Sequence, residues 1–250
     1  MPDETVPDEM LFRGAARYYA RYRPGYPDEL LRPLVEHAGL DGTGRLLDLC
    51  CGTGQLAIPL AAWVEEVVAV DSEREMLAEL AGPPNVRKVL ARAEDVDESW
   101  GTFRLATIGR ALHWLDGPLV LERLARMTRQ VALVGDTLGQ SEAMRVALEV
   151  TRELFGERPA MKQPFVGYAR ALAASPFCDV VEFSVEVERV WTVDELIGFA
   201  YSTSYASPER VGDRREEFER TLRERLRPRY VERTRVDALL GRRRDERLEP

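Results

Sequence analysis

Cysteine is scarce in this chain. It has three among 250 residues, two of them adjacent at Cys50 and Cys51, which is too few for a disulfide framework and lacks the paired spacing of a zinc site. Reduced thiols are expected. Long hydrophobic runs are missing as well. The longest, Leu56 to Val64, is about half of the roughly 20 residues that span a bilayer, and Glu65 and Glu66 close it. No membrane helix is expected. Asp3, Glu4, Asp8 and Glu9 stand where a secretory leader would be basic, so the expected address is the cytoplasm. Excess positive charge is absent too: 35 Lys and Arg against 43 Asp and Glu give −8, the wrong sign for wrapping a polyphosphate. Nucleic acid is therefore not an expected partner. The stretch 208–250 is slightly basic, but its charges alternate in sign and read as solvated helical face. No repeat of 20 to 50 residues is visible, which removes solenoids and propellers.

What is present is a composition for a packed core, 45% hydrophobic and 31% charged. Element types alternate along the first half. Arg45–Leu49 is a short apolar run entering Cys50-Cys51-Gly52-Thr53-Gly54, the pattern of a buried parallel strand followed by a glycine turn. A helix through Leu56, Leu60 and Trp63 is expected next, then a strand Val67–Val70 ending at Asp71. Ser72-Glu73-Arg74-Glu75 reads as a capping box before Met76, Leu77 and Leu80. Further strands are expected at Val86–Leu90, Phe103–Ile108 and Val131–Gly135, with a helix from Pro118 to Met127. A helix over Asp28–Ala38 precedes them, with Pro33 inside it. The series predicts a doubly wound parallel sheet.

The second half reads differently. Val181, Phe183, Val185 and Val187 alternate with polar residues, as does the run Thr234, Val236, Ala238 and Leu240. Together they predict an antiparallel hairpin at one sheet edge. Between them, Thr192-Val193-Asp194-Glu195 is a capping box, and Ser207-Pro208 opens a helix carrying Val211, Phe218, Leu222 and Leu226. The whole chain is expected to be one domain, with its core at about 27–138 and 177–245. An N-terminal lid at 10–26 and helical cap elements at about 139–176 and 192–228 complete it.

The turn at Asp48–Gly54 brings small residues and a helix N-terminus to a ligand, and Asp71 follows Gly52 by 19 residues, the spacing of a ribose-binding acid. A nucleotide-like ligand is implied. Gly52-Thr53-Gly54-Gln55-Leu56-Ala57 also fits a dinucleotide fingerprint, so this spacing leaves NAD open. His113 is placed where ligands of open α/β folds bind and could act as a general base; the alternative is a pocket wall shared with Trp114. His37 reads as structural, and Cys50 and Cys51 as small buried residues.

Asp48–Gly54 resembles the cofactor motif of class I S-adenosylmethionine-dependent methyltransferases, with Cys50 in place of the motif's first glycine. Tyr18–Pro27 is similar to the segment that folds over the cofactor in small-molecule members. Ala93-Glu94-Asp95 resembles the segment flanking adenine, and Gly109–Trp114 the loop at the methionine end and the acceptor pocket. The resemblance implies a Rossmann-like sheet of seven strands, mostly parallel with an antiparallel C-terminal edge strand and an inserted helical cap. It also implies S-adenosyl-L-methionine as cofactor and S-adenosyl-L-homocysteine as product.

By the same resemblance, the cofactor residues are Tyr19 and Arg23 in the lid, Asp48, Cys50, Gly52 and Gly54 at the turn, Asp71, Ser72 and Met76 after the second strand, and Ala93, Glu94 and Arg110 beyond. Tyr22, His113 and Trp114, with Tyr168, Tyr201 and Tyr205 of the cap, are the acceptor-side candidates. Phe165, Phe177, Trp191 and Phe199 would help line an aromatic pocket for a bulky, flat acceptor such as a natural-product intermediate. No metal is required, and a monomer or homodimer is expected. Two other readings stay open: a protein that binds the cofactor without methylating, and an NAD-dependent oxidoreductase.

Overall fold

The computed structural model describes residues 12–157 and 167–243. The expectations placed on Asp3 to Glu9, on the first lid residues, on Phe165 and on residues 244 and 245 lie outside them.

Seven strands form one sheet among the described residues: β1 (Arg45–Leu49), β2 (Glu66–Asp71), β3 (Val86–Leu90), β4 (Leu105–Gly109), β5 (Gln130–Asp136), β6 (Asp179–Thr192) and β7 (Arg229–Arg242). Their order is β3-β2-β1-β4-β5-β7-β6, parallel through β5, after which β7 and β6 run antiparallel. The apolar runs of β1, β2 and β4 are buried on both faces, as parallel strands between helices require. Chain order reverses between β1 and β4, which opens a crevice at their carboxyl ends.

One face of the sheet is covered by α2 (Asp28–Ala38), α3 (Ala57–Leu60) and α4 (Arg74–Glu79), the other by α5 (Gly117–Leu124) and α7 (Tyr168–Ala173). Pro33 does not break α2. Gly39 ends that helix in a left-handed conformation, φ 66°. Beyond β5 the hairpin continues alone, and Trp191 and Tyr230 at its far end anchor a third apolar cluster. It contains α6 (Glu142–Phe155), α8 (Val193–Tyr201), α9 (Pro208–Val211) and α10 (Arg215–Arg225). The expected capping box at Thr192 and Glu195 is formed. The short α1 (Ala16–Tyr22) packs on both α4 and α8. None of the described helices is long and apolar enough to cross a membrane.

Several local expectations are corrected. The capping box at Ser72–Glu75 does not form: Asp71 Oδ1 takes the Glu73 N–H (2.8 Å), and Glu75 Oε2 accepts from the Gly14 N–H (2.9 Å). The helix expected through Trp63 ends at Leu60 and continues only as a 3₁₀ turn, because Asn85 Nδ2 holds the Ala61 and Val64 carbonyls and redirects the chain into β2. Trp63 is consequently 40% exposed. Gly212 adopts φ 52° and divides the helix expected after Pro208 into α9 and α10. Phe103 makes only an isolated bridge to Thr128, so β4 starts at Leu105.

Candidate functional site

The turn after β1 is left-handed at three positions, with φ 53° at Cys50, 56° at Gly52 and 96° at Gly54. Cysteine thus occupies a conformation that favours glycine, at a cost of about 1 kcal/mol or more. At Gly54 a side chain would be strained by the backbone angle, and its Cβ would come within 2.9 Å of the Ile58 side chain and 3.0 Å of that of Leu80. Asp71 Oδ2 accepts the Gly52 N–H (2.8 Å), so one carboxylate ties the glycine turn to the start of α4. Burial raises the Asp71 pKa, opposed by the N–H groups of Glu73, Gly52 and Ser72.

Asp48 lies one layer deeper. Thr107 Oγ1 donates to its Oδ1 at 2.7 Å, while Oδ2 is buried without a hydrogen-bond partner. Burial pushes its pKa up to about 7, against the opposing Thr107 hydroxyl and Ala57 N–H. Burial also raises both neighbouring thiols, helped at Cys50 by the charges of Asp71 and Glu94.

In front of the turn is a cavity of about 440 Å³. Cys50 and Gly52 form its floor, Asp71, Ser72, Glu73 and Met76 one side, and Leu90 to Asp95 the next. Gly109, Arg110, Ala111, Trp114 and Leu115 come from the end of β4, and Phe12 and Tyr19 from the N-terminal segment. Glu94 is held by the Asp116 N–H (3.3 Å) and by Arg92 (3.6 Å). Arg110 is itself left-handed, φ 53°. Its Nε donates to Asp136 Oδ2, its Nη1 to the Pro24 carbonyl (3.1 Å), and its guanidinium stacks over Tyr26 (4.4 Å). Burial alone would lower its pKa, but Asp136 and nearby phenols keep it firmly charged. The Arg110 charge is therefore already balanced, and it clips the lid to β4 and β5.

The structure brings together Tyr19, Cys50, Gly52, Asp71, Ser72, Met76, Ala93, Glu94, Arg110 and Trp114 around this cavity. The other sequence-derived candidates stand elsewhere. Asp48 borders a small adjoining recess, and Gly54 packs against Ile58 and Leu80. Arg23 donates to Ser202 Oγ (3.0 Å) and to the Ser202 carbonyl (3.2 Å), with its guanidinium over Phe199. Tyr22 lies against Gly198, where any side chain would overlap its ring. Tyr201 donates to Glu219 Oε1 (3.0 Å), and the Tyr205 hydroxyl faces Met144 Sδ at 3.9 Å. His113 is beside the cavity rather than on its lining, with Nδ1 3.0 Å from the Tyr168 hydroxyl.

The expected aromatic pocket in the cap is also corrected. Trp191, Phe199 and Tyr201 pack edge to face with neighbouring rings in the buried third cluster, and Phe177 is buried under the sheet. Among the described residues those rings are buried against one another and do not line the cavity. Conversely, Phe12, Leu90, Ala91, Arg92 and Leu115 line the cavity without having been singled out. Residues 90 to 92 follow β3 at the carboxyl edge of the sheet, a position that strand order alone points to. Phe12 has no sequence signal. Among the described residues no group of three or more His, Cys, Asp or Glu could hold a metal ion.

A family model described as a methyltransferase domain matches residues 46–132. An uncharacterized methyltransferase of Mycobacterium tuberculosis is 30% identical over 208 residues, 81% of this chain and 81% of that one. A Dictyostelium discoideum protein that carries a methyltransferase name is 27% identical over 130 residues, so this chain spans about half, 49%, of its length. Among solved structures, a type II methyltransferase by name from Anaeromyxobacter dehalogenans aligns over 88% of this chain and 98% of its own, with TM-score 0.57 and 24% identity, and shows the shared fold. The glycine turn, the acid at the end of β2 and the sequence match over most of the molecule agree: the chain belongs to the class I S-adenosylmethionine-dependent methyltransferases.

Proposed function

We propose that the cavity at the carboxyl ends of β1, β2 and β4 holds S-adenosyl-L-methionine, and that its methyl group passes to an O or N atom of a small, largely apolar acceptor. The observation that carries the reading is Asp71. Its Oδ2 accepts the Gly52 N–H and its Oδ1 the Glu73 N–H, with the Ser72 N–H also acting on it, yet the residue still lines the cavity, so the carboxylate keeps lone-pair capacity for ribose hydroxyls. A cavity of about 440 Å³ is within the range of small-ligand sites. The Cys50–Gly52 floor admits a ligand close to the backbone, and Met76, Leu90 and Ala91 offer apolar walls to an adenine flanked by Ala93 and Glu94.

When bound, the cofactor supplies an activated methyl group on a sulfonium. The chain's residues have then to orient and to exclude water, which is catalysis by proximity. Phe12, Trp114 and Leu115 form an apolar wall at the β4 side, with the Phe12 and Trp114 rings edge to face at 6.0 Å. That wall supports an apolar or aromatic acceptor, of which a natural-product intermediate is one kind, handled in the cytoplasm. Purified protein incubated with the cofactor and a panel of small aromatic acids, phenols and amines is expected to yield a product heavier by one methyl group, seen by mass spectrometry. Tight cofactor binding with no methylated product from any small acceptor would contradict the acceptor class.

A further inference from the structure

The cap does not line the cavity, yet it reaches a residue that does. Tyr19 stands on α1, a helix of seven residues, too short to hold its own shape in water. Its ring borders the cavity and packs on the glycine turn, with Cε1 3.5 Å from the position a Cβ on Gly52 would take. Where that ring sits therefore depends on what packs behind it. Arg23 ends α1: its backbone N–H donates to the Tyr19 carbonyl (3.1 Å), and the centre of its guanidinium lies 5.0 Å from the centre of the Tyr19 ring. The far side of this contact is in the cap. Arg23 Nε donates to Ser202 Oγ (3.0 Å) and Nη2 to the Ser202 carbonyl (3.2 Å). The Ser202 hydroxyl donates in turn to the Phe199 carbonyl (2.5 Å), which leaves its lone pairs for the arginine. Ser202 is fully buried, caps the C-terminal end of α8 and is not on the cavity lining.

We infer that Arg23 is a positioning residue: anchored on Ser202, it holds the Tyr19 ring in place at the cavity, so that the cap sets cofactor affinity without touching the cofactor. The negative end of α8 suits a guanidinium, and the guanidinium in turn lies over the rings of both Tyr19 and Phe199, at 5.0 and 4.6 Å. Two directional hydrogen bonds fix its plane, so the link runs through the end of α8 and leaves the hairpin outside it. Arg23 itself is not on the cavity lining, and it acts through Tyr19, which is. The inference rests on the proposed cofactor site. It gives the third apolar cluster a task other than an acceptor pocket, that of backing for the lid.

The test is calorimetric titration of S-adenosylhomocysteine into the full-length protein and its variants, with the unfolding temperature recorded beside it. Arg23→Met is expected to weaken binding roughly three- to tenfold, the range of a cation–ring contact. Arg23→Lys is expected to lose less, since it keeps the charge and gives up only the forked hydrogen bonds. Ser202→Ala, inside the cap, is expected to weaken binding about two- to fivefold. Tyr19→Ala is expected to lose at least as much as Arg23→Met, and the double variant to match Tyr19→Ala within roughly twofold, because Arg23 then has no ring to hold. A lower unfolding temperature for Arg23→Met with wild-type affinity in the folded protein would overturn the inference and leave a purely structural contact. Losses that add in the double variant would overturn it as well, because Arg23 would then touch the cofactor itself. If Arg23→Met does not fold, Arg23→Lys and Ser202→Ala decide, and unchanged affinity in both contradicts the inference. No binding to the wild-type protein would remove the cofactor site and this inference with it, whereas wild-type binding with additive or absent Arg23 effects removes the inference alone.

Discussion

At the carboxyl rim of β1, β2 and β4 the chain accepts strain and buried charge that the β6–β7 hairpin does without. Among the described residues, Cys50 and Arg110 are the non-glycine positions with positive φ, and both face the cavity. Asp48 and Asp71 are buried close by, one of them with an orphan oxygen. The hairpin pairs Asp179–Thr192 with Arg229–Arg242 in an unbroken register and has no left-handed residue. It sets Glu188 opposite Arg233, where the side chains meet at 3.2 Å. Glu232, whose Oε2 lacks a partner, is the exception. Strain persists where surrounding structure holds it in place for a ligand, while the hairpin's extended pairing supports the cap. Substitutions in the hairpin are therefore expected to reduce stability and spare binding, and those at the rim to do both or the reverse.

The largest effect is expected in the hairpin. Trp191 is fully buried, edge to face with Phe199 and stacked under Arg189 at 4.0 Å. Trp191→Ala is expected to cost about 3–5 kcal/mol in denaturant unfolding, with cofactor affinity unchanged in the folded fraction. A loss of affinity comparable to that at the rim would erase the contrast between the two regions.

At the rim, the buried Asp48 carboxyl makes stability depend on pH. Its folded pKa of about 7 lies above the unfolded value of 3.8, so the folded state holds its proton over that interval while the unfolded state releases it. Stability is then fully supported below the unfolded pKa and falls as pH rises toward 7, by at most about 1.4 kcal/mol for each pH step of one across that interval. Asp48→Asn cannot titrate there. The stability difference between wild type and variant, measured by urea unfolding from pH 4 to 8, is expected to shrink or reverse as pH rises; a difference independent of pH would contradict the assignment.

Asp71→Ala removes the acceptor for the Gly52 and Glu73 N–H groups, among others, and the proposed ribose contacts. It is expected to weaken S-adenosylmethionine binding by roughly 1.5–3 kcal/mol, about 10- to 150-fold. Cys50→Gly is the smallest change. It relieves the left-handed φ of 53° and is expected to raise stability by up to about 1 kcal/mol. A clear destabilisation would mean that the thiol's packing outweighs the backbone strain.

The rim was largely legible in the sequence because its signals are local. A glycine turn after an apolar run, and an acid 19 residues beyond Gly52, carry their geometry in their spacing. The hairpin was legible through alternation, since one face of Val181 to Val187 is packed and the other solvated. The destinations of long side chains were not. Arg23 reaches Ser202 across 179 residues of sequence, and Tyr22 fits against α8 because residue 198 is glycine. Such pairings depend on how α1 and α8 pack, which no local pattern encodes. The capping box at Ser72 failed for the same reason: Asp71 and Gly14 supplied competing partners that a four-residue motif does not contain.

The most direct test of the central claim is calorimetric titration of S-adenosylmethionine and S-adenosylhomocysteine into the wild-type and Asp71→Ala proteins, with NAD as control. The account predicts one site for each sulfur ligand on the wild type, at least about tenfold weaker on the variant, and no comparable NAD binding. Tight NAD binding without either sulfur ligand, or equal affinities on wild type and variant, would contradict the assignment of the cavity.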